Sequence, residues 1–224
     1  MNWQDLRRSQ VLPIQIDFSS RENSVAIWGA VTSVAGDAPA LYSLLGNTLA
    51  NFENDLDLLK LISSMLRAGD KLLIEVATTD EINALKAHRA CVEYKRSESF
   101  FAFATSALDY YTSLQIDRTC VEFLPACVAD RSVEVRTVYR NRSSSELPLK
   151  VTTGRQVSLH PNETIRLYLT RKYLESHVLS MIESLNLTAE VTSRSIPNHD
   201  GFASMVVLVS PRSTDQLRSF SRRE

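Results

Sequence analysis

Residues 42–78 constrain this chain more than any other stretch, because they read as a complete strand, turn, helix, turn and strand. Residues 41–45 are a compact apolar run around Ser43 that stops at Gly46 and Asn47, the pattern of a largely buried strand in a parallel sheet. Helical spacing follows in Leu56, Leu59, Ile62 and Leu66, with Asp55 and Asp57 at the amino end, where the helix dipole favours negative charge. Asn51 or Asn54 is available as its cap. Arg67, Gly69 and Asp70 close the helix, and the run KLLIEVAT at 71–78 resumes as a strand. Such a unit belongs to an open α/β sheet, whose ligands bind beyond the carboxyl ends of the strands, where turns and helix starts offer backbone N–H groups. The turn at 46–52 has that address. Gly46 leaves the backbone approachable, Asn47, Thr48 and Asn51 offer donors and acceptors, and Phe52 supplies an apolar wall. An ordinary strand-to-helix connection, in which Asn47 or Asn51 merely caps, fits the same residues.

The rest of the chain extends this unit. Upstream, 11–18 alternates around Ile14 and Ile16 and predicts a short strand ending in Asp17, and 25–34 predicts a short helix. Downstream, 80–94 and 98–114 carry helical spacing, the second holding Phe100, Phe101, Phe103, Leu108 and Tyr111. Aromatic residues at that spacing are more often core than pocket lining. From Cys120 the texture turns to short β-type runs at 121–128, 133–140, 147–152 and 166–169, which predict a small antiparallel sheet. A helix at 173–185 and strands at 191–195 and 203–210 follow.

Composition removes several function classes. Lysine and arginine total 25 against 26 acidic residues, so charge gives no pull toward nucleic acid or a membrane surface. No apolar run approaches the ~18 residues that span a bilayer, and the opening MNWQDLRRSQ lacks a secretory apolar segment, so a cytoplasmic location is expected. Cys91, Cys120 and Cys127 match neither a disulfide framework nor a zinc knuckle, and the four histidines show no paired helical spacing, so no metal is expected. No nucleophile elbow, Ser/His/Asp set or phosphate-cradling P-loop is present. Asp17, following a strand, is placed to accept from a ribose or an adenine amine, although on the residues alone a helix cap or turn role is the favoured reading; Glu75, an isolated carboxylate within a strand, needs a partner.

The sequence Leu45-Gly46-Asn47-Thr48-Leu49-Ala50-Asn51-Phe52, the acidic-started helix and the GDKLLIEV strand resemble the histidine-specific, S-adenosylmethionine-dependent methyltransferase family. RSVEVRTVYRNR and ETIRLYLTRKY follow in the order of that family's substrate lobe, and the likeness runs over roughly 13–211. The resemblance implies an α/β fold: part of a Rossmann-like methyltransferase sheet with an inserted small antiparallel β-rich substrate lobe. Its units are an incomplete core at 11–118, the substrate lobe at 119–172, a helix and strand pair completing the core at 173–211, and a solvated tail at 212–224. It implies S-adenosylmethionine as cofactor, with Asp17, Phe18, Gly46 and Thr48 contacting it, and Asn51 as the catalytic position holding the substrate's amino and carboxylate groups. Tyr168 and Thr170 stand where the family places a Glu and a Ser on the substrate's imidazole, and a phenol in place of a carboxylate loses a charge-assisted bond, which argues against histidine. Ala50 stands where the family usually has glycine.

The implied activity is N-methyl transfer to a small amine or amino-acid-like substrate. The alternatives are a non-catalytic relative serving as a binding or partner subunit, and a nucleotide-binding module outside methyl transfer. The family's Gly-rich loop belongs upstream of Asp17, where sixteen residues stand, so the chain is expected to be the carboxyl-terminal part of the fold or a truncated relative. Strands missing on that side expose a sheet edge that a second copy or a partner chain is expected to cover.

Overall fold

The structure is a computed structural model and describes residue 17 and residues 20–212 of the 224. Phe18 and the strand expected at 11–18 lie outside the described residues, apart from Asp17. In chain order the elements are α1 (Arg21–Ala35), β1 (Leu41–Leu44), a 3-10 turn (Thr48–Asn51), α2 (Asp55–Ser63), β2 (Lys71–Thr79), α3 (Ala84–Arg96) and α4 (Glu98–Tyr111). There follow β3 (Val121–Val128), β4 (Ser132–Arg140), β5 (Leu147–Lys150), β6 (Gln156–Leu159), β7 (Thr164–Leu174), α5 (Glu175–Ser184), β8 (Leu187–Arg194) and β9 (Phe202–Pro211).

The fold is a mixed α/β layer organised on β2. Leu72, Ile74 and Val76 alternate onto one face of β2 and are fully buried, because α2 and α5 bring Leu59, Val178 and Ile182 against them. β9 pairs antiparallel with β2 along 72–79. The other edge of β2 is shared: β1 runs parallel to it over 71–74, and β7 parallel to it only at Thr78 and Thr79. Among the described residues the sheet therefore has seven strands in the order β3-β4-β7-β2-β9-β8, with β1 beside β7 on the same edge of β2. On the opposite face α3 packs Ala87, Ala90 and Cys91 against Val133, Val135 and Phe202.

The expected antiparallel strands β3, β4 and β7 form, and β7 joins them edge-on to the core, so the lobe shares one sheet with β2. β7 extends well past the 166–169 run, and Tyr173 lies in it rather than in the following helix. The polar run Gln156–Leu159 was not expected as a strand; it pairs with β5 in a separate two-stranded sheet. α3 begins later than 80 because the Asn83 side chain accepts from Lys86 N at 2.8 Å. Ser97 ends α3 and caps α4 through Phe100 N at 3.1 Å. Among the described residues no helix is long and apolar enough to cross a membrane.

Candidate functional site

β1 and β7 diverge from one edge of β2, and the turn at 45–53 fills the notch between them. Asn47 makes this possible. Its backbone is left-handed at φ 61°, a region that asparagine tolerates better than most residues. Its Oδ1 accepts from Ala77 N of β2 at 2.9 Å, while its Nδ2 donates to Arg171 O of β7 at 3.2 Å and to Thr170 Oγ1 at 3.1 Å. One side-chain amide thus does what a peptide unit of an intervening strand would do, satisfying backbone groups that the divergence leaves without a ladder. Gly46, at φ 67°, reverses the chain ahead of it, and its N–H donates to Glu75 Oε2 at 2.9 Å. Glu75 also accepts from Ser204 at 3.1 Å, so the carboxylate inside the strand has its partners.

A buried ionic cluster holds the far side of the turn. Arg171 is 3% exposed and donates from Nε to Glu134 Oε1 at 2.6 Å, directly across the β4–β7 pair. Its guanidinium also donates to the carbonyls of Phe52 and Glu53, the latter at 3.2 Å. Asp55, 2% exposed, accepts from the Tyr173 hydroxyl at 2.6 Å and from Arg131 Nη2 at 2.6 Å. Burial pushes the Asp55 carboxyl up, but the Tyr173 and Arg131 bonds, with the charges of Arg131 and Arg171, outweigh it and hold the group below the usual carboxylate range. Burial and the adjoining Asp55 push the Tyr173 phenol far upward, which keeps it a donor.

The other face of β7 is aromatic. Tyr168 meets Phe100 and Phe103 edge-on, with centroids 5.4 and 5.3 Å apart, and Phe100 also packs on Tyr94 and Phe123. Burial, with Tyr94 nearby, pushes the Tyr168 phenol up to about 12, so it stays neutral. Thr170 is buried between Asn47 and the Tyr94 hydroxyl, the latter 3.4 Å away. The aromatic stripe of α4 divides: Phe100 and Phe101 are half-buried, whereas Phe103, Tyr110 and Tyr111 are exposed.

The structure brings Gly46, Thr48 and Asn51 into one turn and joins that turn to Thr170 through Asn47. Thr48 Oγ1 donates to Leu45 O within the turn. Asn51 ends the 3-10 turn, and its Oδ1 is buried and accepts no hydrogen bond from the described residues. Asp17 is exposed ahead of α1, its carbonyl accepting from Ser20 N at 3.2 Å and Asn23 Nδ2 at 2.9 Å. Sequence reading missed Arg171, Glu134 and Asp55 as a unit, since paired charges on separate strands and a helix start look like solvated residues until β4 and β7 are in register. Asn47 was legible as a turn residue, but its bridge to β7 spans 124 positions. The 660 Å³ groove between α3 and β3 and the 360 Å³ cleft at Phe52, Glu53 and Leu58 include none of Gly46, Thr48 or Asn51.

Comparison with known proteins adds three findings. A family model described as histidine-specific methyltransferase, SAM-dependent, matches residues 3–199. No curated protein matches the chain in sequence. Among solved structures, the chain is similar to the CcbJ methyltransferase from Streptomyces caelestis at 10% identity and a TM-score of 0.38, covering 92% of this chain and 65% of that one. It is similar to an S-adenosylmethionine-dependent methyltransferase from Clostridium acetobutylicum at 8% identity and a TM-score of 0.34, covering 77% and 58%. It is also similar to the glycopeptide N-methyltransferase MtfA, solved with S-adenosylmethionine, at 13% identity and a TM-score of 0.29, covering 88% and 63%. The chain thus spans less than two thirds of each of these chains.

Proposed function

Because the chain belongs to the histidine-specific, S-adenosylmethionine-dependent methyltransferase family, we propose that it serves methyl transfer from S-adenosylmethionine to the nitrogen of a small amine or amino-acid-like substrate. The observation that carries the reading is Asn51: a buried carboxamide oxygen without a donor among the described residues, at the end of the turn that leaves β1. Leaving such an acceptor unpaired costs ~1–3 kcal/mol, a cost that an amine N–H supplied by a substrate would offset.

The described residues fit one wall of such a site. Gly46 leaves its surroundings open, since a Cβ there would meet nothing within 4 Å, and Thr48 and Asn51 follow on the same turn. When bound, S-adenosylmethionine supplies a methyl group on a positively charged sulfur. The part left to this chain is to orient a neutral amine, because only its lone pair attacks, and to hold it there. Asn51 accepts from the amine N–H and directs the lone pair outward. Arg171, by gripping the carbonyls of Phe52 and Glu53, fixes the chain direction after Asn51. Tyr168, kept neutral among aromatic rings, favours an uncharged group at the substrate's distal end over a protonated imidazole.

Equilibrium dialysis with radiolabelled S-adenosylmethionine tests this. The expected result is saturable binding displaced by S-adenosylhomocysteine, and label transfer to an amine that Asn51→Ala abolishes without lowering the melting temperature. Absence of saturable binding overturns it; equal displacement by adenosine would instead favour a nucleotide-binding module.

A second reading, a non-catalytic partner subunit, is favoured by the free side of β1. Among the described residues this strand is bonded to β2 alone, and Leu41 and the adjoining Leu45 are 61% and 49% exposed. A partner chain or second copy would cover that edge. On this reading Asn51→Ala and Asp17→Ala leave function intact, and a monodisperse monomer by light scattering at high concentration excludes self-association through the edge.

A further inference from the structure

The largest groove considered above, about 660 Å³, lies apart from the turn at 45–53, between α3 and β3. That volume falls within the ~300–1,000 Å³ of small-molecule sites. One face of α3 builds its wall: His88, Cys91, Val92 and Lys95 recur at three- and four-residue intervals, so their side chains stack along one stripe. The floor is β3, which among the described residues forms one end of the sheet and pairs only with β4. Phe123 packs inward against the α3 cluster, while Leu124 remains 37% exposed.

The rim is cationic. Arg118 is paired with Glu98 at 2.6 Å, and Arg142 with Glu122 at 2.8 Å, a carboxylate that Arg140 also holds at 2.9 Å. Lys95 has no ion pair among the described residues, and it stands exposed at the end of the apolar stripe. Burial pushes the Cys91 thiol up to about 11, so it lines the groove as a neutral apolar group.

A free strand edge could instead take a peptide as an added strand, but Pro125 opposes this. Pro125 stands opposite Val135 and has no N–H to give, so its pair must be one without ladder bonds, and its blank nitrogen faces the free edge. An incoming strand would meet that gap in the middle of β3.

We propose that this groove binds a small amphipathic anion, its apolar body against Phe123, Leu124 and Val92 and its carboxylate or phosphate head on Lys95. The three eight-carbon probes octanoate, octanol and octylamine share one body and differ in charge. Titrated into isotope-labelled protein, octanoate should shift amides at 88–95 and 119–124 and bind more tightly than octanol, with octylamine weakest. Lys95→Gln should weaken octanoate about fivefold, the measure of one half-solvated ion pair, and leave octanol unchanged. Leu124→Ser should weaken both. Equal affinities for octanoate and octanol, indifference to Lys95→Gln, or shifts confined to the β1 edge would each overturn the proposal. So would an acidic peptide that protects the Phe123 and Cys127 amides from hydrogen exchange, since that marks strand addition.

Discussion

Replacing Arg171 by methionine keeps most of the volume and removes the cation from the cluster behind the turn. Glu134, 2% exposed, would then lose its 2.6 Å partner, and the Phe52 and Glu53 carbonyls their donor. Removing one member of a buried pair costs ~3–5 kcal/mol, mostly because the other charge is left behind. Domains are typically stable by only ~5–15 kcal/mol, so the loss should be plain in urea unfolding followed by circular dichroism. Its pH dependence identifies the cause. In the native protein burial pushes the Glu134 carboxyl up, but Arg171, aided by Arg136, brings it below the ordinary glutamate value of 4.5. A depressed carboxyl contributes stability that is present above its unfolded pKa and lost as pH falls through the folded one. Without Arg171 burial dominates and the sign reverses, so the deficit should be greatest at neutral pH and shrink toward pH ~4.5. Adding Glu134→Gln should recover ~1–3 kcal/mol at pH 7. A deficit below ~1 kcal/mol, one independent of pH, or no recovery in the double variant would refute the reasoning.

Asn47→Ala should cost ~2–4 kcal/mol in the same assay, from three hydrogen bonds and left-handed strain, with Asn47→Gly milder by ~1 kcal/mol because only the strain is relieved. A thiol reagent at pH 8 should modify Cys127 quickly and spare Cys91 and Cys120, since only Cys127 is exposed; rapid loss of all three thiols would contradict the packing of α3. Gly201→Ala should lower the melting temperature, because the new methyl overlaps Lys86 Nζ, which is bonded to Asp80 and Asp200, and φ is +78° there; an unchanged melt would mean that Lys86 is mobile. Spectrophotometric titration of the tyrosines should lose one late-ionising phenol in Tyr168→Phe, at about 12.

The β-α-β unit was legible because its signals are local: alternation in 71–79, helical spacing in α2, and glycine at Gly46 and Gly69. β3 was legible for the same reason, as an uninterrupted β-type run. What escaped depends on register. Nothing near Thr170 in sequence tells that Asn47 will bond it, and nothing near Glu134 tells that Arg171 will face it. The length of β7 escaped because Arg171 and Lys172 look like a solvated end, whereas both are buried by partners on other elements. Asn51 was legible as a turn residue and, through the family resemblance, as a substrate-holding position; that its oxygen has no donor among the described residues emerges only once Leu49 and Ala50 are buried beside it.

The pairing of β2 with β9 also sets a timetable. β2 is the central strand of the core, with Leu72, Ile74 and Val76 fully buried, and the partner that pairs with it along 72–79 comes from residues 202–211, more than a hundred positions later. A chain emerging from the ribosome at ~5–20 residues per second leaves that edge bare for several seconds, the interval in which unpaired strands recruit wrong partners. The protein should therefore depend on chaperones during synthesis more than its native stability suggests, and a chain ending before Phe202 should aggregate even though the residues of the candidate turn are all present.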